Sequence, residues 1–364
     1  MSRAIKRKSR REAKKAKKAA KTKLPEQSVD LINPQSHNFD QFIFGNSLYC
    51  ERVVEPEAGK GKTLVIAGAG PSLADHAHEY CEQADEVWGC NSAATWLYEN
   101  GHKVTHAFTV DQTPHMIEEW LSAPPIEYLL ASSVHPHLVE YLLEKKRTIR
   151  FFHNFVGIKK PPITLCGCGH METDHPVGPC LRCDCEIFEP CTMGFEQWLY
   201  ALFYPRTVIV GSGLNATTRA TELARFMGFD KVWVLGADCA LRLKKPRPDA
   251  PFGSPEHMKW LKEDTIMHAD GGSAVASEAT PVTMYGEIDG RPWETKPDLV
   301  VTAVWLVKMA RAWPWLELIG DTLPNALMDK DDDFLDRLPS LTDGSGETMR
   351  IEIDSEPLDT EKIA

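Results

Sequence analysis

Between Thr63 and Leu235, short apolar runs alternate with longer amphipathic stretches. The first run, TLVIA from Thr63, ends in glycines and hands over to a helix-like stretch starting at Pro71. EVWGC at 86–90 leads into 91–98, HAFTV at 106–110 into 114–121, and YLLA at 128–131 into 135–143. A further strand is predicted at 148–152. After an interruption the pattern resumes: 207–210 leads into 214–227, and KVWVL at 231–235 ends at Gly236, Ala237 and Asp238. A last helical stretch at 298–312 precedes WLELIG. Short apolar runs spaced by helical patterns predict βαβ units, with strands buried on both faces of a parallel sheet. The expected fold class is therefore α/β, a doubly wound, mainly parallel Rossmann-like sheet spanning 63–328.

The flanks change this picture by their charge. Residues 1–23 hold twelve Lys or Arg against one Glu, although the whole chain has a net charge of −11. Residues 1–24 read as a basic arm with no apolar stripe to dock on a core, and 25–62 as a linker with short elements. Residues 329–364 hold twelve Asp or Glu against four Lys or Arg and read as an acidic tail. The acidic body argues against a broad nucleic-acid face on the core; the arm is the segment that would meet nucleic acid or another acidic partner. No apolar run is long enough to span a bilayer and the first residues lack a secretory apolar segment, so no membrane contact and a cytoplasmic location are expected.

The interruption is chemically the sharpest segment. Six of the ten cysteines fall between Cys166 and Cys191. Cys166, Cys168, His170, His175, Cys180, Cys183 and Cys185 offer thiolate and imidazole ligands at spacings that suit tetrahedral zinc, with Gly169 and Gly178 for tight turns. An insertion at 157–193 holding structural zinc is expected, with one or two ions.

Other chemistry gathers where strands end. Gly68, Gly70, Pro71 and Ser72 form the first strand-to-helix turn, where backbone N–H groups and a helix N-terminus favour a phosphate. Asn91 and Ser92 follow the second strand; Gly211, Ser212 and Asn215 follow a later one. In an open α/β sheet such ends border one crevice. Asp111 and Asp238 also end strands, and two carboxylates beside a phosphate suit Mg²⁺. His153 and Glu287 are candidate bases.

The ordered set GAGPSL at 68–73, NSA at 91–93, FTVD at 108–111, GSG at 211–213, ARFMGF at 224–229, VLGAD at 234–238 and YGEIDG at 285–290 with Thr295 resembles the 6-hydroxymethylpterin diphosphokinase MptE-like family, related to the motility accessory factor glycosyltransferases. The resemblance covers roughly residues 60–320, with the Cys/His segment as its main departure. It implies a transferase with a nucleotide donor, ATP or a nucleotide sugar. The GAGPSL turn and the Gly211 loop would hold phosphates, and Asp111 and Asp238 would be catalytic at the nucleotide or Mg²⁺ site. Diphosphoryl transfer to an unidentified hydroxyl acceptor is the first reading and glycosyl transfer the second. A nucleic-acid-associated zinc protein on an α/β scaffold is the third.

Overall fold

Each central strand opens on a polar residue and continues with buried ones. Thr63–Ala67 (β1), Glu86–Cys90 (β2) and Glu127–Ala131 (β4) each have four buried residues after a half-buried first position, and His106–Thr109 (β3) has three. Such strands need cover on both faces, and the intervening helices supply it. The computed structural model describes residues 39–156, 158, 163–166, 190–203, 208–211, 215–250, 254–271, 284–288, 290–338 and 350–352.

The remaining strands of the main sheet are Thr148–Asn154 (β5), Ile209–Val210 (β8), Lys231–Leu235 (β9) and Leu316–Leu318 (β14); Arg242–Leu243 (β10) and Thr265–Ile266 (β11) form a separate antiparallel pair. The eight strands run in the order β14-β9-β1-β2-β3-β4-β5-β8. Every neighbouring pair is parallel. The α/β, Rossmann-like fold expected from the sequence is thus the fold observed. The chain builds outward from β1 to β8 and then returns to the opposite side of β1, so the order reverses between β1 and β9. The carboxyl ends of strands at such a switch point border a natural ligand crevice.

The helices are Phe39–Ser47 (α1), Leu73–Gln83 (α2), Ser92–Glu99 (α3), Met116–Glu119 (α4), Pro136–Glu144 (α5), Phe195–Phe203 (α6), Ala216–Met227 (α7), Pro255–Glu263 (α8), Pro297–Ala312 (α9), Leu323–Ala326 (α10) and Asp332–Arg337 (α11). The stretch 25–62, read as a linker with short elements, contains α1, and Ile43 and Val54 lie wholly inside the main core. Asn46 pins α1 to the loop after β4 by donating to the carbonyls of Ser132 and Val134 at 2.9 and 2.8 Å. The start of the acidic tail forms α11, capped by Asp331 and anchored by buried Leu335. Both segments are too short for their apolar residues to show a helical period in the sequence.

The interruption begins and ends on an antiparallel ribbon, Ile163–Cys166 (β6) with Pro190–Met193 (β7), which sets Cys166 opposite Pro190 and Leu165 opposite Cys191. The zinc candidates Cys168, His170, His175, Cys180, Cys183 and Cys185 lie outside the described residues. Among the described residues no group of three or more His, Cys, Asp or Glu side chains forms a metal site. Among them, too, no helix is long and apolar enough to cross a membrane.

The polar first positions line up at the amino edge of the sheet. Glu86 takes Lys62 at 2.8 Å, and His106 lies between Glu86 and Glu127 at 3.7 and 3.1 Å. Arg150 reaches Glu127 at 2.6 Å. Burial raises the proton affinity of Glu127, but hydrogen bonds and charge from His106 and Arg150 outweigh it and bring its pKa down to about 2. Ion pairs tie this edge together.

Candidate active site at the switch point

The first turn and the turn after β9 interlock. Gly68 N–H donates to Leu235 at 2.8 Å and Gly70 N–H to Gly236 at 2.9 Å. A Cβ on Gly68 would stand 2.5 Å from the Gly236 carbonyl oxygen, and one on Gly70 would stand 2.2 Å from an Asp238 oxygen. Gly236 itself has φ +62° and would drive a Cβ to 2.3 Å from the Gly68 oxygen. The glycines are needed here for backbone to pass backbone. This differs from the phosphate cradle expected of Gly68 and Gly70, because both N–H groups are already bonded within the protein.

Asp238 occupies the place an external anion would take at α2. Its carboxylate accepts from the Ser72 N–H at 3.1 and 3.2 Å and from the Ser72 hydroxyl at 2.8 Å. Pro71 leads into this turn. Burial pushes the Asp238 carboxyl above its ordinary range, opposed by the Ser72 hydrogen bonds and the charge of Arg242. A buried, perturbed carboxyl at a cleft is a mark of a working site.

A second helix N-terminus remains. Asn215 caps α7 in a reciprocal box with Thr218. The next two residues, Ala216 and Thr217, carry N–H groups that have no intrahelical partner by position. Thr217 lies at the switch point: its Oγ1 is 3.2 Å from where a Gly68 Cβ would be, and it hydrogen-bonds Cys90 at the end of β2. Thr217 escaped the sequence reading, although the N-x-x-T cap before it marked the start of the helix.

Asn91 forms a sharp elbow between β2 and α3, with φ 48° and ψ −125°. Gly89 permits the elbow, since a Cβ there would lie 2.4 Å from the Ala94 Cα. The Asn91 carbonyl accepts from Trp120 Nε1 at 2.8 Å, while its side-chain Oδ1 is buried with no hydrogen-bond partner among the described residues. Backbone strain with an unsatisfied polar atom is characteristic of ligand-binding positions. Ser92 opens α3 beside it.

The other candidates sit apart. Asp111 follows β3, which is three strands from β9 in the sheet order. Gly211 ends β8 at the far edge of the sheet, and its N–H is held by Glu222 of α7 at 2.8 Å. Ser212 lies outside the described residues. His153 is buried, bonded to Ser132 at 2.8 Å and stacked on Tyr200 with ring centroids 3.8 Å apart, which removes it from any acceptor. Glu287 belongs to Met284–Ile288 (β12), paired with Arg291–Thr295 (β13).

Beside Asp238 opens a cavity of about 480 Å³, lined by Asp75, Arg242, Arg291, Trp293 and Asp321 among others. Arg242 pairs with Asp75 at 2.5 Å, Arg291 pairs with Asp321, and Arg291 lies over the Trp293 ring. The buried Trp293 Nε1–H has no acceptor among the described residues.

No family model matches the chain, and no curated protein matches it. Among solved structures, a MAf glycosyltransferase from Magnetospirillum magneticum AMB-1 is similar at 13% sequence identity with a TM-score of 0.45. The alignment covers 84% of this chain and 41% of that one, so the chain spans less than half of that protein's length.

Proposed function

We propose that the protein is a nucleotide-dependent transferase working in the crevice between β1, β2 and β9. One observation carries this reading: the capped helix N-terminus at Thr217 meets both the Gly68 turn and Cys90, next to the strained Asn91, while Asp238, bonded to Ser72 of that turn, lines a cavity. The helix terminus supplies the field and N–H donors for a donor phosphate. Asn91 Oδ1 is an acceptor for a ribose hydroxyl or an amine. Asp238 touches the acceptor cavity and is the candidate catalytic carboxyl.

Of the two chemistries, glycosyl transfer from a nucleotide sugar fits better than diphosphoryl transfer. Diphosphoryl transfer asks for tight divalent-metal neutralisation of the phosphates, whereas the Asp238 carboxylate is engaged by the Ser72 N–H and hydroxyl. The cavity instead offers carboxylates and guanidinia for hydroxyls, an indole face for ring carbons and an orphaned indole N–H. Binding and orientation fall to these residues, and a carboxyl with raised proton affinity is suited to take up the acceptor proton as the bond to the donor phosphate breaks. If zinc is bound, Cys166 and the Cys/His segment are its candidate ligands and its role is structural. The nucleic-acid reading rests on residues 1–23, which lie outside the described residues, and on that segment, of which 167–189 do too.

The test is a thermal-shift and turnover screen of the full chain against nucleotides and nucleotide sugars, with and without Mg²⁺. A ligand that binds only the native chain raises its melting temperature. Stabilisation and turnover by a nucleotide sugar are expected; stabilisation by ATP with diphosphate transfer would reverse the order of the two chemistries, and no response from any nucleotide would end the transferase reading.

A further inference from the structure

Another cavity, of about 650 Å³, opens at the amino edge of the sheet, where the chain enters β3, β4 and β5. Arg52, Lys146 and Arg147 line it with Glu127, and Val104 and Ile126 add apolar wall. The cations are placed by the backbone and not by counter-charges. Arg147 Nε donates to the Ala123 carbonyl at 2.8 Å, which fixes the guanidinium, and its two Nη groups make no hydrogen bond or ion pair among the described residues. The N–H groups of Lys146 and Arg147 close the end of α5 on Leu143 and Leu142 at 2.8 and 2.9 Å. In such a helix end the left-handed position usually holds glycine, yet here it holds Lys146, with φ 57°. Its ammonium has no partner among the described residues. Arg52, whose carbonyl is bonded by Phe151 N–H at 3.0 Å, comes no nearer than 3.6 Å to Glu127. Arg150 and His106 already hold that carboxylate, at 2.6 and 3.1 Å.

The lining thus carries a surplus of two positive charges, in a chain whose net charge is −11. Like charges gathered in a cavity repel one another until an anion enters. A guanidinium fork of fixed plane beside an ammonium matches the oxygens of a phosphate, and a phosphate ester carries about two negative charges at neutral pH. The volume is that of a small-molecule site, roughly 300–1,000 Å³, and the apolar wall gives an organic body something to cover. We propose that this cavity binds an organic phosphate monoester, its phosphate on Arg147, Lys146 and Arg52 and its body against Val104 and Ile126. Asn91, Thr217 and Asp238 do not line it. The site is therefore separate from the crevice and does not rest on the transferase reading.

The experiment is calorimetric titration of the full chain with phenyl phosphate and with inorganic phosphate at about pH 8, above the second phosphate pKa of about 6. Phenyl phosphate should bind wild type, and more tightly than inorganic phosphate. Lys146→Gly should weaken it by about tenfold, as expected when a charge-assisted hydrogen bond is lost. Because glycine suits the left-handed position, the melting temperature of that variant should hold or rise. Arg147→Lys, which keeps the charge and loses the fork, should also bind about tenfold more weakly. Glu127→Gln, which removes the carboxylate lining the cavity, should bind more tightly, and Thr217→Val should match wild type. No binding to wild type, or wild-type affinity in Lys146→Gly, overturns the proposal. Loss in Thr217→Val would move the anion to the crevice and overturn it too, and equal affinity for inorganic phosphate would overturn the organic ligand.

Discussion

Asp238 meets two demands at once. It completes the first turn by accepting the amide and hydroxyl of Ser72, yet burial raises its proton affinity in the folded chain. A carboxyl raised in this way stabilises the fold below the ordinary carboxylate range and loses that contribution as pH rises through its folded value. Asp238→Asn removes the ionisation while keeping one acceptor. Its melting temperature relative to wild type should therefore climb as pH is raised from about 4 to about 8, and turnover should be lost. A variant that instead falls further behind wild type as pH rises would identify the carboxylate as a structural anion. The strand-end position of Asp238 was legible in VLGAD, but its partner was not: Ser72 and Asp238 are 166 residues apart and meet only because β9 lies beside β1.

At the scale of elements, the sequence announced the strands and concealed what limits them. The apolar runs at β1 and β2 are visible because both faces are buried, whereas α1 and α11 are short and leaned on tertiary contacts. The Gly68 turn was legible as a turn, but its glycines looked like a phosphate cradle when the tight neighbour is the Gly236 loop. Gly70→Ala would force its Cβ against the Gly236 carbonyl and Asp238, so a loss of about 1–3 kcal/mol or more is expected, measured as a lower denaturant midpoint. At the opposite edge, Glu127 ties β3, β4 and β5 together. Its lowered pKa means that its contribution is present above the ordinary carboxylate range and is lost as pH falls toward about 2. Glu127→Gln should cost about 1–3 kcal/mol at neutral pH, discounted for partial exposure, and the two midpoints should converge in acid. Equal midpoints at neutral pH would show that the amino-edge network is only a solvated row of charges.

For the whole molecule, the decisive fact is the order of strands, which no local pattern specifies. The alternation of strand and helix required a parallel sheet, but only the return of the chain from β8 to β9 sets the switch point beside β1 and draws the α7 N-terminus over it. That return separates residues that looked equivalent as strand ends: Asn91, Thr217 and Asp238 border the crevice, while Asp111 stands above β3 and Gly211 ends the far strand. Calorimetric affinity of the donor nucleotide found in the screen, for wild type, Asn91→Ala, Thr217→Val and Gly211→Ala, locates the nucleotide site. The first two variants should bind at least about tenfold more weakly, as expected when a ligand hydrogen bond is lost, and Gly211→Ala should bind like wild type. Wild-type affinity in Asn91→Ala and Thr217→Val, with loss in Gly211→Ala, would move the site to the β8 edge and contradict the account.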